Sequence, residues 1–450
     1  MLGLHSRCLV HSNVLKLCDS WEVQRVLAKF RVLSTLKDRL RTDDLARQGV
    51  FMVSCGLLAG FLNYLYQLAM GFMLPQAEYG ILFSLISFSM IVGMLTQTFQ
   101  NATSRFTSTS RVRGSLGETK SLWVFFLRRT LVLGLVLFLM LVLVTPVAST
   151  FLNLDNRWYF VVLSMTLVLS FSLPVNQGLL QGLQRFLPLG ICQVLAPLIK
   201  VSLGVVLVYV GLGVNGALLP LFISSVVVFG VSLFFVRDVA KARAEKSEVT
   251  GIGSYTGLTL MAIFSFGVLT NIDVILAKHY LSPESAGDYS AMSVLGRMAL
   301  YIPMGIGTAM FPKTSELFDA GTDCHRVMRR AVFYTLALAG LVLVSYCFFY
   351  GFAIHFAFGG KYSFLLSDLV KYGLSMVLFT LSFLLMNYFL SIKQTRVAYA
   401  LLGPAFLLVT LIVCFHSSVG QFVDIMLVCG AVTLLLMLPF YARDSRRYQS

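Results

Sequence analysis

The sequence predicts an all-α integral membrane protein, with about twelve transmembrane helices in two six-helix lobes. The lobes are related as a parallel pseudo-repeat around a central cavity. Three observations lead there. The 450 residues are 57% hydrophobic and only 12% charged, where a soluble chain carries about 25% charged residues. Apolar runs of about 20 residues, each long enough to cross ~30 Å of hydrocarbon, recur along most of the length. Lys and Arg gather in alternate connections, the bias that orients membrane helices.

Residues 1–48 form a polar, basic extension without the apolar run of a cleavable signal peptide. Within it, residues 21–41 read either as a basic amphipathic helix lying on the inner leaflet or as a weakly ordered extension. Spans are expected at 49–74, 79–103, 130–150, 158–181, 187–210 and 213–236 for the first lobe, 49–236. A basic cytosolic linker, 237–253, follows. The second lobe, 254–441, has spans at 254–280, 287–311, 330–352, 368–391, 396–416 and 421–441, then a cytosolic tail, 442–450. With the N-terminus inside, 29 of the 35 Lys and Arg fall on the cytosolic side. Only Arg157, Lys278, Lys361 and Lys371 fall outside, and Lys200 and Arg297 stay within spans. The chain is therefore expected to be a multi-pass protein of the cytoplasmic membrane with both termini cytosolic.

This asymmetry absorbs the net charge of +15, so the basic balance gives no case for a nucleic-acid partner. The eight cysteines form no CxxC and mostly sit in apolar runs, and the six histidines show no HxxxH or HExxH spacing. No phosphate loop ending in GK[ST] is present, and no catalytic residue, metal site or cofactor is expected. All connections are short, so a soluble domain has no room.

The repeat is visible at a shift of 208. Asn63 then lands on Asn271, Leu68-Ala69 on Leu276-Ala277, Pro75 on Pro283, and Gly80 meets Gly287 after a slip of one. An even number of spans separates the copies, so the halves are parallel repeats about an axis along the membrane normal.

Charge within the spans marks where function is to be sought, because ionisable groups in hydrocarbon usually face a bundle interior or a wet path. Asp273 lies seven residues before Tyr280, ~10 Å deep, and Arg297 lies ten residues after Gly287, ~15 Å deep. The turn SPESAG between their helices makes them antiparallel neighbours at similar depth. They form either a purely structural ion pair or a cavity-lining pair that a ligand or ion can disturb. Lys200 follows Pro197 in the fifth span, and no span of its lobe carries a carboxylate to pair with it. It lines the cavity, or else it snorkels or bonds backbone carbonyls freed by Pro197. Asn63 and Gln67 lie one turn apart on the first span, with Asn271 as the counterpart of Asn63. These amides, like Asn176 and Gln177, either line a path or bond across helices. Asp424 reads as a solvated interfacial carboxylate, and Pro303, Gly305 and Gly307 as a bend or a close-packing site.

The stretch LTNIDVILAKHYLSPESAGDYSAMSVLGR…PMGIGTAMFPKTSE resembles the start of the C-terminal lobe in polysaccharide flippases of the multidrug/oligosaccharidyl-lipid/polysaccharide exporter superfamily. Residues 177–204, QGLLQGLQRFLPLGICQVLAPLIKVSLG, resemble the fourth-to-fifth span region of the same proteins. The similarity covers about 45–442, and the basic extension before it departs from the usual short start.

The resemblance implies export of a lipid-linked oligosaccharide or polysaccharide precursor by alternating access, on a polyprenyl diphosphate carrier, with membrane lipids around it and a coupling ion as a further partner. Its phosphates need a wet cationic path. Lys200 and Arg297 are the expected phosphate contacts, Arg being suited to a bidentate grip. Lys278 is expected at the outer mouth. Asp273 would compete for Arg297 or take up the coupling ion when the head group leaves. Two alternatives stand beside this reading. A drug/cation antiporter of the same superfamily should have a carboxylate-rich cavity, whereas the central charges here are two cations and one acid. A membrane glycosyltransferase or polymerase acting on the same carriers needs catalytic groups on an outer loop. The outer segments offer only Glu78, Asp155 and Glu284 to Asp288.

Overall fold

The structure is a computed structural model that describes residues 44–154, 156–245, 253–319, 322, 324–392, 394 and 397–447. The expected amphipathic helix at 21–41, residues 246–252 of the linker and the last three residues of the tail lie outside the described residues. By internal packing the chain forms two compact units, Met1–Leu58 and Ala59–Ser450. The described part of the first unit, 44–58, is helical. All contacts below lie within the second.

Among the described residues, twelve helical segments are long and apolar enough to cross a membrane. They are α1 (Asp44–Met73), α2 (Gln76–Val112), α3 (Leu116–Phe151), α4 (Trp158–Gly182), α5 (Phe186–Tyr209), α6 (Gly213–Phe235), α7 (Gly253–Tyr280), α8 (Pro283–Gly296) continued by α9 (Met298–Asp319), α10 (His325–Phe352), α11 (Leu366–Ser391), α12 (Val397–Cys414) and α13 (Val419–Arg447). Their ends follow local signals. Ser115 caps α3 by accepting from the Glu118 N–H at 3.0 Å. Ser282 does the same for Ser285 at 3.2 Å ahead of α8, where Pro283 occupies the first turn, in which a missing N–H costs nothing.

Several helices outrun their expected spans, α2 and α3 the furthest: α2 reaches Val112, and α3 begins at Leu116 rather than 130. Apolar length sets only the part in hydrocarbon, and the helix continues wherever capping and propensity allow. These two extensions receive the start of the linker. A single helical turn, Arg237–Lys241, leads to Glu245, whose carboxylate accepts from the Ser115 hydroxyl at 2.6 Å, while Lys120 donates to the Ala242 carbonyl at 2.8 Å. Arg185 forks onto Asp238, and that hydrogen bond holds the Asp238 carboxyl down at about 2.

Packing repeats between the halves. α2 and α3 both pack on α4, α4 on α6, and α5 on α6. Six spans later, α9 and α10 pack on α11, α11 on α13, and α12 on α13. The halves meet where α2 packs against α7 and α8. α2, α7 and α11 are buried over most of their spans, whereas α1, α3 and α5 turn apolar faces outward, as lipid-facing helices do. Gly80 and Gly287, paired by the repeat, face each other: a Cβ on Gly80 would lie 3.1 Å from the Gly287 nitrogen. Equivalent residues touch in this way only close to the axis that relates two copies.

Candidate functional site

Asp273 and Arg297 meet. The Arg297 Nη2 lies 3.0 Å from Asp273 Oδ1, with the side chains 1% and 0% exposed. The Tyr289 and Tyr372 hydroxyls donate to Asp273 Oδ2 at 2.9 and 2.8 Å. Arg297 also donates from Nε to the Tyr372 oxygen at 3.3 Å and from Nη1 to Ser87 Oγ at 3.4 Å, and its guanidinium sits over the Phe83 ring. Ser87 and Phe83 belong to α2, so the network ties the first half to the second. A buried charge is tolerable only when paired and hydrogen-bonded, and here the carboxylate has a donor on each oxygen. In this state the pair is sealed.

Arg297 stands where α8 gives way to α9. Tyr346 takes up carbonyls at that junction, donating to Leu295 O at 2.8 Å. Gly296 is required because a Cβ there would strike the Tyr372 ring. The break thus lies six residues before Pro303, where the sequence offers a bend or a close-packing site, and Gly307 there packs closely on Phe383. At Pro303 itself the missing N–H frees the Ala299 carbonyl, which accepts from Thr380 at 3.2 Å, and the helix runs on. A neighbouring hydroxyl thus satisfies the carbonyl that the proline frees.

Lys200 is half-buried, and its ammonium donates to the side-chain oxygen of Asn63, whose amide nitrogen donates back to Ala59 O at 2.8 Å. Tyr66 offers its ring at 5.9 Å. Pro197 therefore does not supply the partner. Gln67 is half-buried one turn further along α1. Asn271, the counterpart of Asn63, is fully buried and spends its amide nitrogen on Gly267 O and Thr270 Oγ1 of its own helix. Lys278 is only 3% exposed, so in this state it does not face an open mouth. Asn176 bridges Trp123 and Ser232 at 2.9 and 2.8 Å, a cross-helix role. Asp424 pairs with Lys371 at 2.8 Å on the exposed surface.

The end of the molecule that carries Pro75 and Pro283 is latched shut. Gln76 donates to Asp288 at 3.1 Å and to the Lys361 carbonyl. Asp288 also accepts from the Ser363 N–H at 3.0 Å and hydroxyl at 3.2 Å. Lys361 donates to Phe72 O at 2.7 Å, and the Tyr362 hydroxyl to Gly71 O at 2.9 Å. Burial pushes the Tyr362 hydroxyl well above its usual range, so it remains a donor. Tyr79, Phe358 and Tyr362 stack edge to face beneath.

A family model described as polysaccharide biosynthesis protein matches residues 45–318, more than half of the chain. The chain belongs to the polysaccharide biosynthesis protein family. Among curated proteins none matches. The fold is similar to that of an inward-facing multidrug resistance MATE family transporter of the MOP superfamily, at 14% identity and TM-score 0.70, covering 86% of this chain and 94% of that one. It is similar also to an outward-facing structure of such a transporter, at 13% identity, TM-score 0.63 and coverage of 89% and 96%. A eukaryotic MATE transporter matches at 16% identity, TM-score 0.62 and coverage of 88% and 96%. This member of the polysaccharide biosynthesis family thus has the MATE-like fold of two lobes around a cavity.

Three partners in the sealed network escaped the sequence. Ser87, Tyr289 and Tyr372 are ordinary residues in apolar helices, and the chain has eighteen tyrosines. Only the crossing of α2, α8 and α11 singles these out.

Proposed function

We propose that the protein carries a lipid-linked saccharide, on a polyprenyl diphosphate, across the cytoplasmic membrane by alternating access. One observation carries this reading: Lys200, inside the fold of a polysaccharide biosynthesis family member, is bonded to a neutral amide rather than to a carboxylate. Its positive charge is therefore uncompensated by Asn63 and suits phosphate as a compact point charge. In this reading both termini are cytosolic, 237–253 links lobes 49–236 and 254–441, and the latched end faces outward. The head group enters from the cytosolic side toward Lys200, with Asn63 and Gln67 beside it. Arg297 becomes available only when the network around Asp273 opens and the two lobes part at Ser87. Phosphate then competes with Asp273 for the guanidinium, and the released carboxylate can take a coupling ion. Opening of the latch would bring Lys278 and Asn271 nearer to water.

The antiporter alternative finds little support in these charges, since the central acid is fully engaged and the Lys200 charge, paired with a neutral amide, repels a cationic drug. Thermal unfolding of the detergent-solubilised protein separates the two. A short-chain polyprenyl diphosphate should stabilise it, by about 2.7 kcal/mol at a concentration of 100 Kd. Stabilisation by organic cations and none by the diphosphate would select the antiporter.

A further inference from the structure

A groove of about 860 Å³ lies along one face of α3, lined by Lys120, Ser121, Val124, Phe125, Arg128, Arg129, Val132 and Leu133, with Ala244 of the linker across from them. Positions 121, 125, 128 and 132 follow helical spacing, a stripe ~17 Å long. The stripe straddles the point where the polar extension of α3 meets the apolar run. Arg128 and Arg129 are exposed and form no ion pair among the described residues, and the Arg129 guanidinium is held over the Phe125 ring at 4.2 Å. Directly below, Val132 and Leu133 are 53% and 47% exposed and continue into Leu135, Val136, Leu139 and Leu143, all facing outward.

We propose that this groove holds one anionic phospholipid, its phosphate on Arg128 and Arg129 and an acyl chain along Val132 and the apolar face beneath. Phosphates of a bilayer sit where hydrocarbon gives way to polar groups, and basic pockets at that level collect anionic head groups. The paired guanidinia match the charge, and the aliphatic wall matches the chain. The site is distinct from the path of the transported lipid, because the groove end of α3 packs on α2, α4 and the turn at Arg237–Lys241, whereas α3 meets the second lobe at its far end, where Phe151 stacks on His279. A lipid bound here would bridge α3 and the start of the linker near Ala244.

Native mass spectrometry of the full-length protein tests this, in detergent with equimolar phosphatidylglycerol and phosphatidylcholine. Wild type should retain one phosphatidylglycerol with a preference of about tenfold. Arg128→Gln/Arg129→Gln should lose the preference, and so should Val132→Trp, which fills the groove from a lipid-facing position. Arg157→Gln, which removes an exposed cation just ahead of α4, should keep it. Equal retention of both lipids by wild type overturns the proposal, as does an undiminished preference in either groove variant. Displacement of the retained lipid by a polyprenyl diphosphate would make the groove a cargo site, and a lipid-free dimer would make it an interface between copies. Either result also overturns it. The outcome is independent of transport, so failure here leaves the flippase reading untouched.

Discussion

Asp273→Asn destabilises the folded protein by roughly 3–5 kcal/mol, the cost of leaving a buried charge without its partner. The substitution removes the charge that balances the Arg297 guanidinium, whose remaining hydrogen bonds, to Tyr372 and Ser87, are long at 3.3 and 3.4 Å. It also weakens the acceptor that Tyr289 and Tyr372 share. Arg297→Gln is the milder change, because two tyrosine hydroxyls still donate to the carboxylate. The double variant recovers part of the loss, since neither charge is then left alone. Chemical denaturation of the three variants in detergent measures the coupling. Losses that simply add would mean that the two side chains do not meet. Transport stays low in the double variant if Arg297 grips phosphate once the network opens, and returns with stability if the pair serves only to hold α7, α8 and α11 together.

Lys200→Glu abolishes transport while leaving the fold largely intact. The contrast with Asp273 follows from the partner: Lys200 is half-buried and bonded to a neutral amide, so its replacement strands no carboxylate. Lys200→Gln should lower transport by at least about tenfold, the equivalent of 1.4 kcal/mol of lost attraction in the rate-limiting state. Lys200→Arg keeps the charge and should retain part of the activity. Rates are compared in proteoliposomes that contain equal amounts of folded protein. Wild-type transport by Lys200→Glu would remove this residue from the path. Loss of folded protein in all three variants would make the Lys200–Asn63 bond structural.

The spans were legible because a hydrocarbon slab imposes a length and a polarity that composition reveals directly. Each expected span begins or ends within a few residues of a helix found, as at 158–181 against Trp158–Gly182. The expected depths of Asp273 and Arg297 were enough to pair them, since one short turn fixes antiparallel neighbours. The Gly80–Gly287 match predicted no contact, yet those two residues touch near the pseudo-axis. What stayed hidden depends on long-range crossings. Nothing along the chain joins Lys200 to Asn63, 137 positions away, or Ser87 to Arg297, 210 away. The break at Arg297 was hidden for the same reason, and so was the Thr380 hydroxyl of α11 that takes up the carbonyl freed by Pro303.

Flipping itself is measured by reconstituting the wild-type protein into vesicles that carry a polyprenyl-diphosphate-linked oligosaccharide in both leaflets. A membrane-impermeant glycosidase is added outside, under imposed proton and sodium gradients in turn. Without flipping, cleavage stops when the outer-leaflet sugar is consumed. The expected result is cleavage of the whole pool, at a rate that rises with the amount of protein. Cleavage that halts at the outer-leaflet portion under every gradient, as in protein-free vesicles, would contradict transport of a lipid-linked saccharide by this protein.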